Sequence, residues 1–214
     1  MNKQKKVLIL FSGGTDSTAA AVYYLKKGVK TYLVTFDNGV ESDLDLSEKK
    51  SKIIIKKFPQ LCSWRMLNSK DLFHKMAIKT LEKDVKKYGV LVCCACKLAM
   101  LSESILFCMK NHINIIADGF QKSQNYYPEQ TQEYIKVASR LCGKFNIKNE
   151  HPLYDLTSER IKNIILSAGI PAKPQQAKCL FGENRIKSEY VEKYTLNKLN
   201  IALNYIAEKR YNAK

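Results

Sequence analysis

Long apolar runs are scarce in this 214-residue chain. Stretches such as Val7–Phe11 fall far short of the roughly 20 residues a membrane helix needs, so no membrane association is expected. A secretory leader is not expected either: Lys3, Lys5 and Lys6 precede only that short run, which ends in Ser12-Gly13-Gly14. No internal repeat or low-complexity tract stands out. An apolar share of 45% with 26% charged residues excludes wholesale disorder and collagen-like architecture. Acidic residues are few: 36 Lys and Arg face 20 Asp and Glu, a net charge of +16. Such a surface favours polyanionic partners, nucleic acid or nucleotides. The plain alternative is a general lysine bias, because the positive charge is spread along the whole chain. A cytoplasmic enzyme or binding protein of one domain, or one plus a small appendage, is the class that remains.

Histidine is sparse too, and a second CxxC is missing. The seven cysteines, without an export signal, do not suggest a disulfide framework. Cys62, Cys108 and Cys142 sit in apolar surroundings and read as core residues. Cys93, Cys94 and Cys96 crowd together, and Cys93 to Cys96 is a CxxC ahead of a helix. By itself that pattern is half a zinc site, a redox pair, part of an iron–sulfur site, or three inert buried thiols. His74, His112 and His151 are too scattered to complete a zinc site. Cys179, in Lys178-Cys179-Leu180-Phe181-Gly182, is a third sulfur in a loop. Cys93, Cys96 and Cys179 are therefore the candidate metal ligands, able to hold three irons of a 4Fe–4S cube with the fourth open to sulfide. Cys94 is an alternative ligand to Cys93, or a free thiol.

The pattern predicts strands at Lys6–Phe11, Thr31–Phe36, Ser63–Leu67 and Asn114–Ala117. Between and after them it predicts helices at Thr15–Lys27, Leu46–Phe58, Asp71–Tyr88, Lys97–Lys110 and Thr131–Leu141. A helix capped by Thr157 and ending at Gly169 follows, then a loop with Pro171 and Pro174, then a helix over Lys187–Lys209. Alternating strand and helix argue for an α/β fold, a Rossmann-like parallel sheet with helices on both faces. The expected division is a main domain over 1–182 and a packed helical extension over 183–214.

In open parallel sheets, ligands sit beyond the carboxyl ends of the strands. Ser12-Gly13-Gly14-Thr15-Asp16-Ser17 occupies that place after the first strand. Two glycines allow a tight turn whose N–H groups point inward, the next helix offers a positive dipole end, and the hydroxyls add donors. The string lacks the Gly-Lys-Ser/Thr of a Walker A loop and the spacing of the dinucleotide fingerprint.

Ser12–Ser17 resembles the SGGxDS signature of the PP-loop ATP pyrophosphatases, whose fold is an adenine nucleotide alpha hydrolase-like sheet. The resemblance implies that Ser12, Gly13, Gly14, Thr15, Asp16 and Ser17, with Phe11 before them, hold the pyrophosphate of ATP. Asp16 would be catalytic and near Mg2+. Phe36 and Asp37 would receive adenine and ribose, and Asp118-Gly119 resembles a second nucleotide-side motif. The CxxC and the later cysteine resemble those of iron–sulfur-dependent sulfur transferases, among them tRNA thiolases. The order Cys93–Lys97, Asp118-Gly119, Pro152-Leu153 and Lys173-Pro174…Cys179-Leu180 is similar to the nickel-pincer-cofactor sulfur transferases. Tyr126-Tyr127-Pro128 resembles instead the nitrogen-inserting cyano-deazaguanine synthases, although the four late zinc cysteines of that relative are missing.

The implied activity is adenylation of a carbonyl oxygen followed by sulfur insertion, with Cys179 catalytic as well. A tRNA base is the first choice of acceptor, because the net charge suits a polyanion. Sulfide or a sulfur carrier would be the donor. Lys122, Lys178 and Arg185 are candidate phosphate contacts or plain surface charges. The alternatives are a small-molecule acceptor, nitrogen insertion into a deazapurine, a zinc site in place of the cluster, and a nucleotide-binding metal or redox sensor without turnover. A homodimer is left open.

Overall fold

The structure is a computed structural model that describes residues 4–182 and 189–212. It opens with β1 (Lys6–Leu10), α1 (Thr15–Leu25) and β2 (Lys30–Asp37), followed by the short β3 (Glu41–Ser42), α2 (Asp45–Lys57) and β4 (Cys62–Asn68). Next come α3 (Lys70–Met76), α4 (Leu81–Tyr88), α5 (Val92–Asn111), β5 (Ile115–Ala117) and α6 (Gln132–Gly143). The chain ends through β6 (Lys148–Glu150), α7 (Ser158–Leu166), β7 (Lys178–Cys179) and α8 (Val191–Tyr211).

Five strands form one parallel sheet in the order β4-β2-β1-β5-β6. The expected α/β class and parallel, Rossmann-like sheet are what the chain adopts. Strands buried on both faces carry continuous apolar runs, and β1 shows why. Val7 and Ile9, with Phe11 just beyond, pack against α1, α2 and α7, while Leu8 and Leu10 face α3, α5, α6 and α8. Sheet order runs outward through β1, β2 and β4 and then restarts on the other side with β5 and β6. The reversal opens a crevice between the carboxyl ends of β1 and β5, where Leu8 pairs with Ile116 and Ile9 with Ala117.

Two expectations change. The helix expected over Asp71–Tyr88 is two helices, separated by a single 3-10 turn at Ile78–Thr80. Thr80, which ends that turn, and Asp84 of the second helix both accept from the ammonium of Lys198 on α8. Cys93, Cys94 and Cys96 lie inside the first turns of α5 and do not precede it, because nothing after Gly89 breaks a helix until His112 turns left-handed at its end. Two pairings carried no sequence signal: β6, which reads Lys-Asn-Glu, and the antiparallel contact of β3 with β7.

With its cysteines included, α5 is long and apolar enough to cross a membrane by length and composition. Here it is a core helix: Cys94, Ala95, Leu98, Ala99, Ile105 and Cys108 are all fully buried. Val191, Tyr194, Leu199, Ala202 and Ile206 of α8 close the same core. Residues 183–188, including Arg185 and the expected start of the last helix, lie outside the described residues.

Thr131 and Thr157 cap α6 and α7 by accepting from the backbone N–H groups of Tyr134 and Arg160. Replacing either by Ala should cost about 1 kcal/mol in urea denaturation, because one first-turn N–H loses its partner.

Candidate active site at the crevice between β1 and β5

The turn after β1 is held by its own hydroxyls. Ser12 Oγ lies 3.2 Å from Ser17 Oγ and accepts from the Gly14 N–H, and Ser17 Oγ donates to the Gly14 carbonyl. Gly13 has φ +82, and a Cβ there would lie 2.0 Å from the Gln175 carbonyl oxygen. A Cβ on Gly14 would lie 2.2 Å from Oε1 of Gln176. Gly13 is thus required by the backbone of a strap, residues 171–177, that crosses the turn, while the atom nearest Gly14 is the flexible end of the Gln176 side chain. The Gln175 N–H donates to the Gly13 carbonyl, and Thr15 Oγ1 donates to that of Ala172. Lys50, on α2 and only 1% exposed, ties the strap down by donating to the carbonyls of Pro171 and Lys173. Burial lowers the pKa of this lysine.

Across the crevice, Asp118 and Gly119 end β5. Asp118 accepts from the Phe120 N–H at 3.0 Å and lies 2.8 Å from His151 Nδ1, whose ring stacks on Phe120. A Cβ at Gly119 would sit 2.5 Å from the carbonyl carbon of Asp16. The turn after β5 therefore rests directly on the first turn of α1.

These turns border a cavity of about 450 Å³. Phe11, Ser12, Gly14, Thr15, Asp16 and Ser17 line it, together with Phe36, Asp118 and Gly119. Gly13 lies beneath the strap. Asp37 is turned away: it accepts from the Gly39 N–H and pairs with Lys70 at 2.8 Å. Lys122 and Lys178 are exposed and do not line the cavity.

Of the cysteines, Cys93 lines the cavity. Cys96 lies behind it and accepts from Asn38 Nδ2 at 3.4 Å, and burial pushes its thiol up to about 12. Cys179 pairs across strands with Glu41, and burial raises its thiol also. Cys94 is fully buried in the core, which removes it as an alternative ligand, and burial raises its pKa strongly. Cys62, Cys108 and Cys142 are buried, as expected. Three sulfurs thus border one region, but among the described residues no three His, Cys, Asp or Glu groups are placed to hold a metal ion. The thiols as placed do not form a ready cluster site. Asp16 differs: a carboxylate surrounded by the hydroxyls of a phosphate-sized turn suits a hard cation shared with phosphates.

No sequence signal marks Glu41, Gln124 and Glu129 as members of the cavity. Glu41, Lys97, Gln124 and Glu129 line it alongside Tyr126 and Tyr127. Burial raises the pKa of both glutamates, with Lys97 opposing the shift in each case. Glu129 Oε2 is buried without a hydrogen-bond partner among the described residues.

The family described as queuosine biosynthesis protein QueC matches residues 6–192. The chain belongs to this family, within the PP-loop ATP pyrophosphatase superfamily. No curated protein sequence matches it. Among solved structures it is similar to a predicted subunit of a tRNA methyltransferase from Methanocaldococcus jannaschii, at 21% identity over 85% of this chain and 100% of that one, with TM-score 0.52. A 4-thiouridine synthetase in complex with RNA and bound ATP aligns at 16% identity and TM-score 0.63, over 95% of this chain and 53% of that one. The U34-tRNA thiolase NcsA from Methanococcus maripaludis, with its 4Fe-4S cluster, aligns at 15% identity and TM-score 0.54, over 94% and 70%. These likenesses are to the fold. The chain spans about half of the 4-thiouridine synthetase.

Glu129 gives a direct test of the cavity's electrostatics. Its carboxyl titrates higher in the folded chain than in the unfolded one, so the folded state binds the extra proton and stability falls as pH rises through that window. Glu129→Gln removes a carboxylate whose Oε2 is buried without a hydrogen-bond partner among the described residues. The variant should be more stable than wild type by about 1 kcal/mol at about pH 8, with the gain vanishing near pH 4, by urea denaturation at both values.

Proposed function

We propose that the chain is an ATP-dependent enzyme of tRNA modification that adenylates a carbonyl oxygen of its acceptor and releases pyrophosphate. The observation that carries this reading is the phosphate-sized turn Ser12–Ser17, with Asp16 on the cavity and Gly119 pressed against its backbone. The turn's N–H groups and the amino end of α1 would bind the β- and γ-phosphates. Phe36 and the apolar side of the cavity would receive the adenine. Asp16 would hold Mg2+, which when bound offsets charge on the phosphate oxygens.

In the chemical step, the acceptor's carbonyl oxygen attacks the α-phosphorus. The bond from that phosphorus to the bridging oxygen breaks, and pyrophosphate leaves with the electron pair. A nucleophile then adds to the activated carbon and AMP departs. Lys97, which lines the cavity, would offset the negative charge that builds there.

The finer reading is sulfur insertion. It is supported by Cys93 on the cavity wall, by Cys96 and Cys179 nearby, and by the likeness to two tRNA sulfur-transferring folds. Among the described residues the thiols do not close into a metal site as placed. Nitrogen insertion into a deazapurine is the second reading. The family match favours it, since queuosine carries a deazaguanine base, and so do Tyr126 and Tyr127 on the cavity wall. A cytoplasmic location accompanies either reading.

Pyrophosphate release from Mg-ATP should require an acceptor and should fall by at least about a hundredfold in Asp16→Ala. Supplying sulfide or ammonia and weighing the product identifies the inserted atom. Unchanged release in Asp16→Ala would refute the role given to this residue.

A further inference from the structure

We infer that Gln124 is a positioning residue for Asp16, the end of a relay of carboxamides that aims this carboxylate at the magnesium of ATP. The inference rests on the function proposed above and assigns a role to residues that no phosphate-loop signature contains.

Gln124 Nε2 donates to Asp16 Oδ2 at 3.0 Å. Gln124 Oε1 accepts from Gln130 Nε2 at 3.0 Å. Gln130 Oε1 in turn accepts from the backbone N–H of Gln121 at 2.9 Å. The direction of this chain is forced from its far end. A backbone N–H can only donate, so the oxygen of Gln130 must face it. That places the Gln130 amide nitrogen against the oxygen of Gln124, and the Gln124 nitrogen against Asp16. Reversing any one carboxamide would set two donors or two acceptors against each other. The relay therefore presents N–H to Asp16.

Its root is rigid. Gln121 is 2% exposed and follows Phe120, whose N–H is bound by Asp118, while the next N–H, that of Lys122, donates to the Tyr154 carbonyl at 2.8 Å. The anchor is thus the turn after β5, and the group it steers sits on α1. One oxygen of Asp16 is taken by the relay, which sets the plane in which the other is offered. Magnesium is usually held by one or two carboxylates and the phosphates themselves. Orientation of a single carboxylate then weighs heavily, and loss of such an outer hydrogen bond typically costs 10–100-fold in metal affinity.

The relay segment also carries Tyr126, Tyr127 and Glu129, so turnover alone would mix metal and acceptor effects. The test is a binding experiment. The Mg2+ dependence of α,β-methylene-ATP binding is measured by calorimetry for wild type, Gln124→Ala, Gln124→Met and Gln130→Ala. Circular dichroism checks folding, and Gln124→Met, which keeps the side chain's length without its donor, serves if the Ala variant does not fold. The half-saturating Mg2+ concentration should rise about tenfold in the Gln124 variants and less in Gln130→Ala. Nucleotide affinity at saturating Mg2+ should stay within about threefold of wild type. A Mg2+-dependent wild type whose midpoint is shared by the Gln124 variants overturns the inference alone. A wild type that binds no nucleotide overturns the proposed function and this inference together.

Discussion

A side chain at position 119 has nowhere to go. Its first carbon would stand 2.5 Å from the Asp16 carbonyl carbon and 2.7 Å from the Ser17 nitrogen. The turn after β5 and the first turn of α1 are therefore in backbone contact, and this contact sets the width of the crevice at the sheet's reversal. The strap over Gly13 and Gly14 adds a third backbone at the same place. Two glycines distant in sequence, Gly13 and Gly119, serve one requirement: polypeptide packs against polypeptide beside the turn proposed to cradle a phosphate chain. A methyl group at either of these two forces such backbones apart, and overpacking of this kind generally costs about 1–3 kcal/mol.

Charge divides the molecule's tasks. The chain as a whole carries +16, which draws polyanions to its surface. The cavity is the opposite. Among its described lining residues, Asp16, Glu41, Asp118 and Glu129 face Lys97. An acidic cavity inside a basic protein repels bare phosphates except where the N–H groups of the turn and a metal ion compensate.

Much of the frame was legible in the sequence because it is local. The apolar run of β1, the glycine turn and the capped helices announce themselves within a few residues, and Thr131 and Thr157 cap where caps are recognisable. β6 was not legible, since Lys-Asn-Glu has no strand pattern and pairs only because β5 lies beside it. The break between α3 and α4 carried no local signal, and the side chains beside it, Thr80 and Asp84, bond to Lys198 more than 100 residues away. The phosphate turn was read correctly as a turn, but not the strap that explains its glycines. His151, Lys50, Glu129 and Gln124 belong to residue types that are usually surface or structural, and only the fold brings them to the crevice. Cys94 shows the reverse failure: one of three adjacent thiols is core, and only the helical phase of α5 decides which.

The central claim is that Ser12–Ser17 grips the phosphates of a nucleotide. A crystal structure of the protein grown with Mg2+ and a non-hydrolysable ATP analogue tests it most directly. The account predicts triphosphate density on the N–H groups of Gly14 and its neighbours, a metal ion on Asp16, and the adenine beside Phe36. Nucleotide bound elsewhere, with the strap still closed over an empty turn at saturating ligand, would contradict it.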